Sequence, residues 1–292
     1  MEVSPTRGPA IRDLGLALPP ERMPIVRGGR PLKHWRYVGV YGPQLMLCAA
    51  EVFVGPLASR YWGVATPDGE LLAGRSRVGA GGVTVADSAV RVEARARSTG
   101  DGRARPHVSI DLALDASATP PDVESVAGGR RRAYQWTRKR VGVGARGSVT
   151  IAGACHELEG EAAIDDSAGY HPRHTLWCWS AGVGRTTGGE RVGWNLVEGI
   201  NDAPRGSERT VWLDGHPGEV GPVRFDSELR RIRFDDGGEL HFTPWATMAH
   251  RTSLGLLRSD LRQPFGAFAG ELPGRVELRE GFGVTERHEA WW

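Results

Sequence analysis

Apolar and polar residues alternate with period two along nearly the whole chain. The run His107-Val108-Ser109-Ile110-Asp111-Leu112-Ala113-Leu114-Asp115 keeps the alternation throughout. Val90 to Arg95, Arg231 to Asp235 and Glu239 to Thr243 behave the same way. Side chains of a strand point to opposite faces in turn, so each stretch predicts one buried and one wet face. Pro67-Asp68-Gly69 predicts a turn between Tyr61-Trp62-Gly63-Val64 and Leu71-Leu72, and Asp235-Asp236-Gly237-Gly238 predicts a hairpin. Helical periodicity is scarce: Thr247 to Arg262 predicts one short helix, stopped by Pro264. The strand count exceeds what one sandwich or one small barrel uses. The pattern therefore predicts an all-β, antiparallel protein of two units, residues 1–155 and 156–292. The Arg- and Gly-rich stretch Gly128 to Gly147 is the candidate junction.

Composition agrees with many turns: 41 of 292 residues are Gly and 19 are Pro. A net charge of +2 excludes a general electrostatic grip on nucleic acid. Lys33 and Lys139 are the lysines, and arginine supplies every other basic side chain, which reads as compositional bias. Cys48, Cys155 and Cys178 are widely spaced, and three cysteines make no full disulfide framework. The first thirty residues hold no apolar h-region. The longest apolar run, Gln44 to Val54, is broken by Glu51 and falls short of the ~20 residues of a membrane helix. A soluble, cytoplasmic protein with no membrane span is the expectation, its oligomeric state open.

Several short motifs have plainer readings. Gly142 to Gly147 fits G-x-G-x-x-G, but the strand-like Ser148-Val149-Thr150-Ile151 follows where a dinucleotide fold needs a helix. Arg130, Arg131, Arg132, Arg138, Lys139 and Arg140 surround Tyr134 and Trp136, a mixture that binds single strands elsewhere. With so small a net charge it reads as a solvated edge strand, with an anionic ligand group as a further option. His171-Pro172-Arg173-His174 and Cys155-His156-Glu157 lack the helix or the geometry of a metal site. Asp166-Ser167-Ala168-Gly169 lacks the leading glycine and the helix of a nucleophile elbow. No metal and no cofactor are expected.

The densest chemistry lies between Ile164 and Asp214. Trp177 and Trp179 share one face of a strand and form an aromatic wall, either packed as core or lining a ligand. Asp165, Asp166, Tyr170, His171, Arg173, Trp194, Asn195, Glu208 and Trp212 interleave with them. Buried carboxylates must be paired or protonated, and an apolar mouth with a few polar groups is the usual form of a small-molecule site.

Ile164-Asp165-Asp166-Ser167-Ala168-Gly169-Tyr170, Arg173-His174-Thr175-Leu176-Trp177-Cys178-Trp179 and Val192-Gly193-Trp194-Asn195-Leu196 resemble the central signature of a bacterial family of unknown function. That family belongs to the lipocalin-like (calycin) proteins, which include AttH, the carotenoid 1,2-hydratases and tocopherol cyclase. Lys33-His34-Trp35-Arg36-Tyr37-Val38-Gly39-Val40, Gln263-Pro264-Phe265-Gly266 and Gly283-Val284-Thr285-Glu286-Arg287-His288 are similar to its flanking motifs. Gly206-Ser207-Glu208-Arg209 departs from the pattern, which has a Glu-Asn pair. The resemblance implies two lipocalin-like β-barrel or sandwich units, a ligand cavity in or between them, and no organic cofactor.

The leading reading is an isomerase, cyclase or hydratase of an apolar polyene-, terpenoid- or polyketide-like molecule, of the kind found in natural-product biosynthesis. Such chemistry needs a cavity that folds the substrate, an acid of raised pKa, and aromatic faces for a developing cation. Adjacent Asp165 and Asp166 cannot both face one cavity from a regular strand. Asp165 is the chosen acid, before Glu208, Glu286 and Asp166, with Arg173 or His171 orienting it. Trp35, Tyr37, Tyr170, Trp177, Trp179, Trp194, Asn195, Trp212, Glu286 and His288 are the expected substrate contacts. The alternatives are a non-catalytic carrier or sensor of a lipid-like ligand, and a partner-binding β-protein with no cavity.

Overall fold

The computed structural model describes residues 2–77, 82–98, 105–115, 117, 120–127, 129–130, 133–254 and 257–291. Two antiparallel sheets account for most of it, each curled into a half-barrel, so the protein is two lipocalin-like units. The first sheet has 12 strands. Its backbone runs, neighbour to neighbour, Leu71–Arg77, Leu57–Ala65, Met46–Val54, Lys33–Tyr41, Ala154–Gly169, Gln135–Ile151, His107–Asp115, Ala89–Arg95. The second has nine, with Arg191–Glu198, His174–Thr186, Val276–Trp291, Leu257–Leu272 and Glu239–Leu254 at its centre. Among the described residues one helical element occurs, the 3-10 turn Pro9–Leu14. None of their helices is long and apolar enough to cross a membrane.

Turn chemistry places the hairpins. Leu57–Ala65 and Leu71–Arg77 are joined across Pro67-Asp68-Gly69, and Arg231–Phe234 and Glu239–Leu254 across Asp235 to Gly238. Gly237 and Gly238 have φ of 95° and 101°, a region that side-chain-bearing residues rarely adopt.

The apolar run at Leu45–Ala50 has a structural cause. Leu47 and Ala49 point into the core of the first unit with Val38, Val40 and Trp62. Met46, Cys48 and Ala50 point the other way, into a core shared with Trp179, Ala181, Met248, Phe265 and Val284 of the second sheet. A strand covered on both faces loses its alternation. A third core lies within the second unit around Trp194, Phe242 and Phe268. The N-terminal segment adds Ile11, Leu18 and Met23 over Tyr134, Trp136 and Tyr170.

Two expectations change. Residues 247–254 and 257–262 form no helix. They lie on the hairpin of Glu239–Leu254 and Leu257–Leu272, with Thr247 opposite Pro264 and Met248 opposite Gln263. Burial there follows the strand period: Ala246 and Met248 are buried, Thr247 and Ala249 exposed. Inter-strand pairing against Val276–Trp291 outweighs the short helical spacing. The second concerns the division at 155/156. It falls beside the Ala152-Gly153 turn, inside the long hairpin of the first sheet. The chain changes sheet between Gly169 and His174. We propose residues 170–173 as the boundary between units. Of the candidate junction, Gly128, Arg131 and Arg132 lie outside the described residues, and Gln135 onward is strand.

The shared core predicts that the units unfold together. Phe265 is fully buried in it, so Phe265→Ala should cost about 3–5 kcal/mol. Urea denaturation followed by tryptophan fluorescence should show one transition, moved to lower urea. Two separated transitions, with only one displaced, would show that the units are independent.

Candidate active site

A cavity of about 100 Å³ lies between the two sheets. Strand periodicity explains its lining. Lys33, Trp35 and Tyr37 alternate along Lys33–Tyr41 and present one face. In register, Tyr37 lies opposite Asp165, and Asp165 opposite Lys139, so three neighbouring strands bring these side chains side by side. Across the cavity, Trp177 lies opposite His288 and Trp179 opposite Glu286. Val52, Val54, Tyr61, Val197, Ile200 and Leu261 supply apolar wall.

The aromatic rings pack in order. Trp35 and Trp177 face each other across the two sheets, nearly parallel at 5°, with centroids 6.4 Å apart. Trp179 meets Tyr37 edge-on at 5.4 Å. Tyr37 and Tyr41 join their hydroxyls at 3.1 Å.

The charges do not balance pairwise. Lys139 Nζ lies 2.5 Å from Asp165 and 3.3 Å from Glu208, one ammonium between two carboxylates. Burial alone would lower the Lys139 pKa, but the two carboxylates outweigh it and raise it. Glu208 is the surplus carboxylate. Burial raises its pKa, against Lys139, and Asp165 adds to the rise. Asn201 Nδ2 donates to Glu208 at 3.1 Å. Among the described residues Glu286 forms no ion pair. It accepts hydrogen bonds from Trp177 Nε1 at 3.0 Å and Gln263 Nε2 at 2.9 Å. Burial pushes its carboxyl up to about 7 despite those two donors. His288 contacts the Ser259 hydroxyl at 2.8 Å, and burial pushes its imidazole down to about 3.

The expected residues divide into three groups. Asp165, Glu208, Trp35, Tyr37, Trp177, Trp179, Glu286 and His288 line this cavity. Asn195 and His171 stand behind it. Asn195 accepts from Trp179 Nε1 at 2.8 Å and donates to the Glu208 carbonyl at 3.0 Å, so it positions both. His171 is buried 5.4 Å from the Trp35 ring, and burial pushes its pKa down to about 3. Arg173, Tyr170, Trp194 and Trp212 lie elsewhere. Arg173 is exposed after the end of Ala154–Gly169, and Lys139 takes the place expected for it beside Asp165. The Tyr170 hydroxyl donates to the Pro24 carbonyl at 2.7 Å within the N-terminal core. Trp194 fills the core of the second unit and donates to Ser180 Oγ at 3.0 Å. Trp212 packs in the shared core and donates to the Pro121 carbonyl at 3.4 Å.

Asp166 points to the opposite face of its strand, into a second cavity of about 600 Å³ in the mouth of the first unit. Arg36 holds it at 2.6 Å and Arg138 at 2.7 Å. Arg138 and Arg140 also pair with Asp87 and Asp122, so these arginines are neutralised by carboxylates. Gly142, with φ of 91°, sits at a bulge between Val141 and Val143, inside a strand. His174 is exposed against Glu289, and Cys155, His156 and Glu157 are exposed. Among the described residues no group of three His, Cys, Asp or Glu side chains could hold a metal ion.

Sequence reasoning missed Lys33, Lys139, Tyr61, Asn201, Gln263 and Ser167. One signal was available: both lysines of the chain line this cavity, although arginine fills every other basic position.

No curated protein matches the sequence. Among solved structures, an AttH-like protein from Nitrosomonas europaea is 14% identical with a TM-score of 0.53, covering 94% of this chain and 98% of that one. The kievitone hydratase from Nectria haematococca is 11% identical with a TM-score of 0.51, covering 87% and 88%. At such identities the likeness establishes the fold. A family profile covers residues 73–292, three quarters of the chain, including the second sheet's side of the cavity. The chain belongs to the family described as Domain of unknown function (DUF2804).

Proposed function

We propose that the protein is a cofactor-independent acid catalyst, an isomerase, cyclase or hydratase, acting on an unsaturated apolar small molecule. The observation that carries this reading is Glu286: a buried carboxyl pushed up to about 7, on the wall of an aromatic cavity. An acid works best when its pKa lies near the working pH. Asp165, the acid expected from sequence, is paired with Lys139 instead. Proton transfer from Glu286 to an alkene or carbonyl would leave positive charge on the substrate. The faces of Trp35 and Trp177 would stabilise that charge. The Lys139–Asp165–Glu208 cluster then offers a carboxylate, Glu208, to take a proton back. Loss of a proton gives an isomer, internal capture gives a ring, and addition of water gives a hydrate. One solved structure of the same fold bears the name of a hydratase. The cavity is smaller than the roughly 150 Å³ that accommodates benzene, so the reacting end of the substrate enters it and the remainder lies outside. A carrier needs none of these titratable groups at its walls.

Glu286→Gln removes the proton and keeps the shape. Conversion of a panel of polyenes and conjugated enones, read by mass spectrometry as isomers or water adducts, should fall about 10²–10⁴-fold in kcat/KM. Unchanged conversion would remove Glu286 from the role.

The pH dependence has a defined sign. The acid acts protonated, so turnover should fall above pH about 7. Stability follows the same group. Its folded pKa is raised, so its contribution is present at low pH and is lost as pH rises through about 7. The Tm of the wild type should therefore drop relative to Glu286→Gln between pH 4.5 and 8. The expected scale is ~3 kcal/mol across that window. Parallel curves for the two proteins would show that Glu286 is not perturbed by folding.

A further inference from the structure

Strand register fixes a row of side chains along the first sheet's wall of the cavity. Tyr61 lies opposite Ala50, Ala50 opposite Tyr37, Tyr37 opposite Asp165, and Asp165 opposite Lys139. Directly opposite residues share a face, so Tyr61 stands on the cavity side of its strand, beside the small Ala50. Across the layer its ring meets His250 edge-on, with centroids 6.1 Å apart. Leu261, opposite His250, lines the same end of the cavity. The chain has five tyrosines. Tyr134 and Tyr170 donate to the Ala17 and Pro24 carbonyls, and Tyr37 and Tyr41 join their hydroxyls. Among the described residues the Tyr61 hydroxyl alone of the five has no hydrogen-bond partner, and packing does not seal its oxygen off.

The groups around it do not supply the missing acceptor. Glu286 accepts from Trp177 Nε1 and Gln263 Nε2. Cys48 Sγ donates to Gln263 Oε1 at 3.6 Å, which turns the amide N–H toward Glu286. Asp165 and Glu208 are engaged by Lys139 at the other end of the row. Burial, and then the charge of Glu286, raise the Tyr61 pKa well above its ordinary value, so the phenol keeps its proton. A phenol and a carboxyl therefore face one dry cavity as donors, and the acceptor must come from the ligand.

We propose that the Tyr61 hydroxyl donates a hydrogen bond to a carbonyl oxygen of the substrate, which makes the substrate a conjugated enone and not an all-carbon polyene. This deepens the reading of the cavity as the ligand site and rests on it. A hydrogen bond to the carbonyl oxygen draws electrons from the conjugated alkene. It strengthens as charge gathers on that oxygen in the transition state, which is where a preorganised donor helps most. The same donor discriminates between ligands. A hydrocarbon in the cavity would leave the buried phenol unpaired, whereas a carbonyl satisfies it.

Two probes of one shape make the test: benzalacetone, a conjugated enone, and the diene in which a methylene replaces its carbonyl oxygen. Their affinities for the whole chain are measured by equilibrium dialysis. The wild type should prefer the ketone by about tenfold, the worth of one buried hydrogen bond. In Tyr61→Phe the preference should vanish. Infrared difference spectra give a second readout. The carbonyl stretch of bound benzalacetone should lie at lower wavenumber in the wild type than in Tyr61→Phe. The substitution keeps the ring against His250 and removes an oxygen that bonds to nothing, so the Tm should not fall. Equal affinities in the wild type, a preference that survives Tyr61→Phe, or a lowered Tm in that variant would overturn the proposal. Glu286→Gln separates the two readings. Turnover lost in Glu286→Gln, with no ketone preference in the wild type, would sink this inference and leave acid catalysis standing. A ketone preference that depends on Tyr61, with turnover unchanged in Glu286→Gln, would uphold this inference and remove Glu286 as the acid.

Discussion

Two strands of the first sheet have no wet face over their central residues. Lys33–Tyr41 and Met46–Val54 send alternate side chains into the core of their own half-barrel and into the layer shared with the second sheet. Whatever titratable side chain faces the layer between the sheets must be paired or neutralised. Burying a charge without a partner costs several kcal/mol, so the protein either pairs it or shifts its pKa. Every unusual titration in the cavity follows from that constraint. Lys139 is paired, and Glu286 is pushed toward its neutral acid.

Lys139 serves two carboxylates, and their mutual repulsion adds to the desolvation of Glu208. Glu286 feels Asp165 in the same sense. A cavity built only to hold an apolar ligand gains nothing from carboxyl groups whose protons are poised near neutrality. Proton-transfer chemistry does need such groups, and it needs them dry.

Much of the fold was legible because strand periodicity is a local property. His107–Asp115 reads as a half-buried strand from its own residues, and burial alternates there as expected. The continuous run at Leu45–Ala50 was legible as apolar but not as doubly buried, since its cover comes from residues near 180, 248 and 265. The helix expected at 247–262 failed for a related reason: pairing partners across a hairpin decide the state of a short ambiguous segment. Of the site, Trp177 with Trp179 was legible from one strand face, and the opposed placement of Asp165 and Asp166 from the pleat. The partner of Asp165 was not. Lys139 lies in a different strand, and only register brings the two together. Trp194 and Trp212 carry the same composition signal as Trp177, and nothing local separates a ring in a core from a ring on a cavity wall.

Register also ties the site to the fold. Asp165 belongs with Lys139 on the face toward the second sheet, and Asp166 with Arg36 and Arg138 on the face toward the first half-barrel. The side-chain period is two, so a slip of one residue in Ala154–Gly169 would exchange these faces. It would set Asp166 toward the aromatic cavity and strand two arginines in the mouth of the half-barrel. The bulge between Val141 and Val143, where Gly142 takes φ of 91°, fixes how many residues lie between the turn at Ala152-Gly153 and the paired Lys139 and Asp165. Two ion-pair clusters on opposite faces thus act as a lock on strand pairing. The same interactions that specify the sheet place an ammonium between two carboxylates at the edge of a dry, aromatic cavity.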